Sequence, residues 1–469
     1  MPKRLVGFLN RVFGGDKPPK VELRVIPRDQ HGISRKNISP AALKVLYRLK
    51  DAGYEAYLVG GGVRDLLLEG KPKDFDVATS ATPEQVKRVF NNCRLVGRRF
   101  RLAHILFGRD VIEVATFRAA HLPDDPGDDE HVPDDEEVDA GVQGKTGMIL
   151  RDNVWGNVEQ DAIRRDFTVN ALYYNVEDFA IHDYVGGLKD LEKRRLRLIG
   201  DPETRYREDP VRMLRAARFA AKLGFTVEDG TAKPIEHLRP LLHQVPAARL
   251  FDETLKLLLA GHGRAGWDWL VRFRLDEVLF PDAARACRHH ENARRFVHAA
   301  LDNSDRRIHD GKTVTPAFLF AALLWPEVCQ RFHALIAEGM QEIPAMAEAS
   351  QQVLDAQCRI VAIPRRFSVP AREIWDMQLR LPRRNGRRAD ALLDNPRFRA
   401  AYDFLLLREA AGPLPGEPAD IFAGHLGTWW TDYQNAGPDA RLAMASDLDA
   451  RKQPPGEATG QKRRRRRRR

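Results

Sequence analysis

The stretch Tyr57-Leu58-Val59-Gly60-Gly61-Gly62-Val63-Arg64-Asp65, with Lys73-Asp74-Phe75-Asp76-Val77-Ala78-Thr79 close behind it, constrains the chain more than any other feature. It predicts a strand, a glycine turn, a short helix and a second strand carrying two aspartates. Side chains alternate along a strand, so Asp74 and Asp76 share one face and Phe75 and Val77 the other. Two adjacent carboxylates repel, and without a cation one of them tends to keep its proton. A divalent ion removes that conflict, and hard oxygen ligands of this kind suit Mg²⁺, which is usually held by one or two carboxylates plus substrate phosphates. The glycines present backbone N–H groups at the start of a helix, where phosphate oxygens bind well. The combination points to phosphoryl or nucleotidyl transfer.

At 469 residues and 43% hydrophobic content the chain can bury a core and form several domains. No apolar run approaches the ~20 residues needed to span a membrane. Cys93, Cys287, Cys329 and Cys358 are scattered, without CxxC zinc spacing and without a signal peptide, so they read as reduced and structural in a cytoplasmic protein. The net charge of +10 is unevenly placed: Lys462–Arg469 are eight consecutive basic residues, whereas Asp124–Asp139 holds ten acidic ones. A pI near 9.4 with concentrated arginine predicts a polyanionic partner, most simply nucleic acid.

Residues 1–20 intersperse Leu5, Val6, Phe8, Leu9, Val12 and Phe13 with Lys3, Arg4 and Arg11, which reads as a disordered leader or as an amphipathic segment in peripheral contact with an anionic membrane. Ser39-Pro40 predicts a helix start that runs to Gly53, and Thr82-Pro83-Glu84-Gln85 a capping box. Leu102–Phe107 and Val111–Phe117 around Gly108-Arg109-Asp110 predict a hairpin. Glu113, inside Val-Ile-Glu-Val-Ala, is costly unless paired, metal-bound or on an open edge, and is a candidate third carboxylate. His104 reads as a structural histidine. Residues 119–146 predict a disordered acidic loop.

From Asp161 the pattern turns helical, with Asp166 and Asn170 one turn apart. Pro210 starts a helix on which Arg212, Arg215, Arg218 and Lys222 form a basic stripe opposite Met213, Leu214 and Ala217. Helical patterns follow at Ala247–Ala260, Trp267–Leu279, Phe296–Leu301, Pro316–Leu324 and Phe332–Glu338. Beyond residue 360 arginines become dense and are interleaved with Trp375, Phe398 and Tyr402, which predicts stacking on bases.

Four ordered motifs, Gly60-Gly61-x-Val63-Arg64-Asp65, Asp74-Phe75-Asp76, Arg164-Arg165-Asp166-Phe167-x-x-Asn170-Ala171 and Glu208-Asp209-x-x-Arg212, resemble those of the class II nucleotidyltransferases of the polymerase β superfamily. That group holds bacterial poly(A) polymerases and tRNA CCA-adding enzymes. Leu95–Ile105 resembles the signature of the proteobacterial poly(A) polymerases. The resemblance implies an α+β fold, a polymerase-β-like nucleotidyltransferase head followed by a mainly α-helical neck, body and C-terminal region. The expected divisions are a leader at 1–35, head at 36–185 containing the acidic loop, neck at 186–262, body at 263–360, an arginine-rich RNA-binding region at 361–452 and a disordered polyarginine tail at 453–469.

The resemblance also implies roles. Asp74 and Asp76 would hold two Mg²⁺ ions, with Asp166 as the third acidic residue of the catalytic set and Glu113 as its competitor. Gly60, Gly61 and Arg64 would contact the triphosphate of ATP, and Arg165 and Asn170 the triphosphate and sugar. Asp209 and Arg212 would read the base, with Arg215 and Arg218 supporting that site or binding primer phosphates. The implied activity is template-independent addition of adenylate to RNA 3′ ends in mRNA processing and decay. A CCA-adding enzyme on tRNA, a non-catalytic RNA-binding protein and, more remotely, a DNA-directed repair polymerase are the rival readings. A monomer acting with RNA-degradation machinery or an RNA chaperone is the expected context.

Overall fold

The computed structural model describes residues 22–97, 101–119, 142–143, 149–151 and 155–450. Residues 1–21 of the expected leader, nearly all of the acidic loop and the polyarginine tail lie outside the described residues, and within the rest of that leader Arg24–Ile26 form a strand paired with Ile181–Asp183 of the head. The chain forms two compact units: one comprises the chain to Leu257 together with Ala265–Val278, the other Leu258–Arg264 and the chain from Leu279 onward.

The first unit is built on strands β1 (Arg24–Ile26), β2 (Ala56–Val59), β3 (Asp76–Thr79), β4 (Cys93–Val96), β5 (Leu102–Phe107) and β6 (Asp110–Thr116), a short pair β7 (Val142–Gln143) and β8 (Ile149–Arg151), then β9 (Leu172–Asn175) and β10 (Ile181–Asp183). Eight of these make one sheet in the order β1-β10-β9-β2-β3-β6-β5-β4. All neighbours are antiparallel except β3 and β6, which run parallel with Asp76 beside Glu113. The apolar run Ala56-Tyr57-Leu58-Val59 is buried throughout, as a strand with cover on both faces must be. Helix α1 (Pro40–Asp51) packs Ala42, Val45, Leu46 and Leu49 inward on one side. Tyr57, Val59, Phe117, Ala162, Tyr173 and Tyr184 form a cluster that belongs to the other side.

Local signals of the sequence appear where expected, with three adjustments. The hairpin forms as β5 and β6, and Thr82 with Gln85 makes both bonds of a capping box at the start of α3 (Pro83–Val89). Ser39 precedes α1 with Pro40 at its first position, but its side chain makes no capping bond. The strand carrying the aspartates begins only at Asp76, so strand alternation does not set the direction of Asp74. Glu113 is not on an edge, because β6 lies between β3 and β5.

After Gly60, helix α2 (Gly61–Leu67) follows at once, and the first unit continues through α4 (Val158–Arg164), α5 (Pro202–Glu208), α6 (Val211–Leu223) and α7 (Ala247–Leu258). The second unit is helical among the described residues: α8 (Glu291–His309), α9 (Pro316–Ala337), α10 (Glu342–Cys358), α11 (Arg365–Arg380), α12 (Phe398–Ala411) and α13 (Leu426–Asn435) are its longer elements. The two helices expected at 316–324 and 332–338 are one, and α9 runs straight through Pro326. An internal proline costs roughly 3 kcal/mol, and here Ala317–Cys329 is buried on every side, so packing outweighs it.

The aromatic residues expected to stack on bases do something else. Trp375 is fully buried and donates its indole N–H to Ala321 O at 3.1 Å. Phe398 and Tyr402 lie in a core cluster with Trp430 and Tyr433. Their spacing was that of helix faces turned inward, which an arginine-rich composition obscures.

Candidate active site

Four pieces of backbone meet at one end of the sheet. Gly60 ends β2 with φ 71° and ψ −137°, a conformation open to glycine and costly for other residues. A Cβ at Gly60 would lie 3.5 Å from Arg165 Nη1 and 3.9 Å from Asp76 Oδ2, so the turn, the second aspartate and the arginine after α4 share one spot. A Cβ at Gly62 would lie 3.4 Å from the carbonyl oxygen of Asp74, so α2 packs beside the backbone of Asp74. On the neighbouring strand Glu113, 45% exposed, sits in register with Asp76 on one side and with His104 on the other. Register partners share a face, so Asp76 and Glu113 gather at the same cleft, and Asp74, just before the strand, is close enough for its charge to act on Asp76. His104 Nε2 is 3.6 Å from Glu113 Oε2.

Asp76 carries the mark of this crowding. Its surface is open to solvent, yet protein surrounds it in the cleft. That desolvation first, then the charge of Glu113 and of Asp74, pushes its carboxyl up to about 6, against the opposing pull of Arg165. A cluster of hard carboxylate oxygens that repel each other is a donor set that fits Mg²⁺.

Arg165 is fixed on the other wall. Its Nε donates to Tyr173 Oη at 2.7 Å and to Asp161 Oδ2 at 3.2 Å, its Nη2 donates to Asp161 Oδ2 at 3.1 Å, and Tyr173 donates to the same oxygen at 2.7 Å. Nη1 is left on the side of Gly60. Arg205 closes the end of α4 by donating to the carbonyls of Arg164 and Arg165 at 2.6 and 2.7 Å. A cavity of about 320 Å³ opens here, lined by Thr116, Arg118, Asp161, Arg164 and Arg165 among others. Burial, then the neighbouring Arg118, Arg205, Arg212 and Arg165, pulls the Arg164 guanidinium well below its ordinary value, a sign of how much positive charge the wall holds. Anions are favoured in such a place.

Several expected ligands are bonded to one another. Asp166 is not directed to the carboxylate cluster through any recorded contact. Its Oδ1 accepts from Phe167 N at 2.8 Å and Asn170 Nδ2 at 3.1 Å, and its Oδ2 accepts from Arg215 Nε at 2.8 Å and from Nη2 of the same residue. Burial raises its carboxyl, but Arg215, Asn170 and the Phe167 N–H outweigh that and hold it at about 2. Arg64, 2% exposed, donates to Asp65 through Nε at 2.8 Å and Nη2 at 2.5 Å and to Asn170 Oδ1 at 2.6 Å, and it stacks over Phe219. The expected triphosphate contacts Arg64 and Asn170 and the expected acid Asp166 therefore form one chain, Asp65–Arg64–Asn170–Asp166–Arg215, that fastens α2 to α6. Lys222 ends the same helix 3.4 Å from Asp65 Oδ2.

The basic stripe of α6 is likewise committed. Arg212 Nη1 donates to Glu208 Oε2 at 2.9 Å and Arg205 O at 2.6 Å, and Arg218 lies 3.4 Å from Glu253. Asp209, just before α6, accepts from Val211 N at 3.2 Å and from Arg249 Nη2 at 2.7 Å. Burial raises its carboxyl, and Arg212 with Arg249 overcomes this and holds it below the usual range. Sequence reasoning missed Asp161, Tyr173, Arg205 and Arg249. The i,i+4 spacing of Asp161 and Arg165 was a readable signal; nothing local pointed to Arg249 on α7.

Three family models match this chain: the poly A polymerase head domain over residues 56–197, the probable RNA- and SrmB-binding site of polymerase A over 224–287, and the polymerase A arginine-rich C-terminus over 338–469. A curated relative from Escherichia coli O6:H1, named Poly(A) polymerase I, is 50% identical over 460 residues, covering 96% of each chain. The chain belongs to the poly(A) polymerase family. A family member from Haemophilus influenzae is 45% identical over 93% of this chain and 94% of its own. A solved structure of the Thermotoga maritima CCA-adding enzyme with tRNA superposes with a TM-score of 0.54 at 19% identity, covering 91% of this chain and 89% of that one, which shows the shared fold. The α+β head with helical remainder is thus the family's architecture. Among the described residues no helix is long and apolar enough to cross a membrane.

Proposed function

We propose that this chain is a template-independent polynucleotide adenylyltransferase that lengthens RNA 3′ ends from ATP and releases pyrophosphate. The observation that carries the reading is the meeting of Asp76, Glu113, the Gly60 turn and Arg165 in a chain half identical, over 96% of its length, to a protein named Poly(A) polymerase I. Mg²⁺ is the ion that suits the cluster, in the two-ion arrangement the resemblance implies, with Asp74, Asp76 and Glu113 as its holders. Bound there, the metal supplies Lewis-acid activation of the RNA 3′-hydroxyl and neutralises triphosphate charge.

The chain's own residues do the positioning. The N–H groups after Gly60 receive phosphate oxygens, and Arg165, locked by Asp161 and Tyr173, meets them with Nη1. Arg118 and Arg164 add positive potential to that wall. Asp209 offers an acceptor and Arg212 donors to the edge of the incoming base, and Arg249 and Glu208 hold them in place. Arg64, Asn170, Asp166 and Arg215 act through others: they keep α6, which carries Arg212, in register with the head, and Arg218 ties α6 to α7 through Glu253. RNA held by the arginine-rich C-terminal half, cytoplasmic action and a setting in mRNA processing and decay belong to the same reading.

The test is incubation of the purified protein with a 3′-hydroxyl RNA oligonucleotide, Mg²⁺ and each NTP singly, resolved on a denaturing gel. A long ladder with ATP and little with CTP is the expected result. CTP-dependent addition that stops after a few nucleotides on tRNA would move the chain to the CCA-adding branch. Bound RNA without extension would replace the reading with a binding protein.

A further inference from the structure

We propose that Cys329, His333 and Glu417 form a zinc-binding site in the second compact unit. Cys329 and His333 lie one turn apart on α9 and so project from the same face. Glu417 arrives from the segment after α12. Its neighbour Gly416 has φ +89° and packs so tightly that a Cβ there would fall 2.9 Å from His333 Cβ. That contact brings the carboxylate onto the helix. The donor atoms of the three residues all lie within 4.8 Å of one another.

The chemistry of the donors fits one ion better than its competitors. A thiolate, an imidazole and a carboxylate bind Zn²⁺ tetrahedrally at about 2.0–2.3 Å, which sets donors roughly 3.3–3.7 Å apart. From separations of up to 4.8 Å the group contracts by at most about 1.5 Å, a rotamer adjustment. Mg²⁺ and Ca²⁺ prefer oxygen alone. The surroundings are built as a ligand's supporting shell is built. The Glu417 side chain is 1% exposed, Arg408 Nη2 donates to its Oε1 at 2.5 Å, and Leu414 N donates to Oε2 at 2.8 Å. Arg408 is itself held by Gln378 and sandwiched with Trp325 and Phe422. Burial lowers the pKa of His333, which keeps its ring neutral and its lone pair available. Burial raises that of Cys329, whose thiol hydrogen-bonds to Glu417. Zinc entry therefore breaks the S–H bond, passes the proton to solvent and forms Zn–S. A cavity of about 320 Å³ adjoins the three donors and leaves the fourth position to water. Bound zinc would clamp the 412–425 segment to α9. No CxxC spacing announces such a site, because its third donor is remote in sequence.

The test uses full-length protein carrying Asp74→Asn and Asp76→Asn, which removes the carboxylate cluster of the head as a competing site. After chelator treatment under reduction it is titrated with Co²⁺. The expected result is ligand-field bands in the visible and a thiolate-to-cobalt charge-transfer band in the near ultraviolet, saturating at one equivalent and abolished by Zn²⁺. Cys329→Ser should remove the charge-transfer band, and His333→Ala should weaken binding by roughly tenfold or more, with circular dichroism reporting the fold of each variant. No charge-transfer band with Cys329 intact, a band that survives Cys329→Ser, or unchanged affinity in His333→Ala would each overturn the proposal.

Discussion

Replacing Asp166 by Asn and Glu113 by Gln, one at a time, separates two tasks that both carboxylates were candidates for. Asp166 is buried and gives both oxygens to partners, above all the Arg215 guanidinium. Its carboxyl is held at about 2, below its ordinary 3.8, which corresponds to roughly 2–3 kcal/mol at neutral pH. Arg215 is about a third exposed, so leaving it without its counter-charge costs less than the roughly 3–5 kcal/mol of a fully buried pair. Asp166→Asn should therefore destabilise the first unit by about 2–4 kcal/mol. Glu113 is nearly half exposed, and the charge nearest it along the strands is that of Asp76. Glu113→Gln removes repulsion as well as a contact to His104, so it should change stability by no more than about 0.5 kcal/mol. Its effect should fall on turnover. Losing one holder of the metal forfeits several kcal/mol of transition-state stabilisation, on the order of a 10³-fold drop in kcat.

The assay is a urea unfolding curve in the presence of chelator, set beside an ATP-dependent extension rate titrated with Mg²⁺. The pH dependence carries a definite sign. The folded pKa of Asp166 is depressed, so its contribution is present above the unfolded value near 3.8 and is lost as pH falls from there towards 2. The stability difference between the native chain and Asp166→Asn should shrink over that window and stay flat above pH 5. An unmoved unfolding midpoint in Asp166→Asn together with near-normal turnover in Glu113→Gln would refute the reasoning and return Asp166 to the metal site.

Asp76 has the opposite sign. Its folded carboxyl is raised to about 6, so metal-free protein loses stability as pH rises from about 4 through 6. Because its surface is open to solvent the cost is small, about 1 kcal/mol after screening; Asp76→Asn should raise the urea midpoint at pH 7.5 in chelator, and Mg²⁺ should stabilise the native chain but not this variant. Gly60→Ala forces a side chain into a glycine-only conformation at a cost of about 1–3 kcal/mol and pushes a methyl towards Arg165 Nη1 and Asp76 Oδ2, so extension should fall more than stability does, as paired urea and gel measurements would reveal. Arg249→Ala frees Asp209 from its 2.7 Å partner and should lower the preference for ATP over CTP by about tenfold, the value of one charge-assisted hydrogen bond, with RNA affinity in a filter-binding assay unchanged.

The parts of this molecule that were legible in its sequence are those written in contiguous residues. The Gly60 turn, the Thr82 capping box and the Gly108 hairpin are each specified within a few positions, and each formed. The proline-interrupted α9 and the inward-facing Trp375, Phe398 and Tyr402 were misread because burial depends on what packs against a helix, not on what the helix contains. Arg249 and the donor Glu417 were invisible for a related reason: each meets its partner across a long stretch of chain.

The site residues show where spacing stops being informative. Motif spacing brought Arg64, Asn170, Asp166 and Arg215 to one region, and they do converge. It did not say whether converging charges face a ligand or one another. Electroneutrality decides that. An alternating series of arginine, amide, carboxylate and arginine satisfies itself, and burying it without a ligand costs little because every donor has an acceptor. Asp74, Asp76 and Glu113 cannot do this, since carboxylates alone have no donor among them, and Asp76 is raised by desolvation first and then by the charges of Glu113 and Asp74. On the facing wall Arg165 is already paired with Asp161, while burial first and then its arginine neighbours pull Arg164 down. A functional centre in this fold is thus found by asking which like charges are gathered without cancellation. A negative cluster beside a positive wall, joined at a glycine turn, is what a metal-bound triphosphate would complete on both sides.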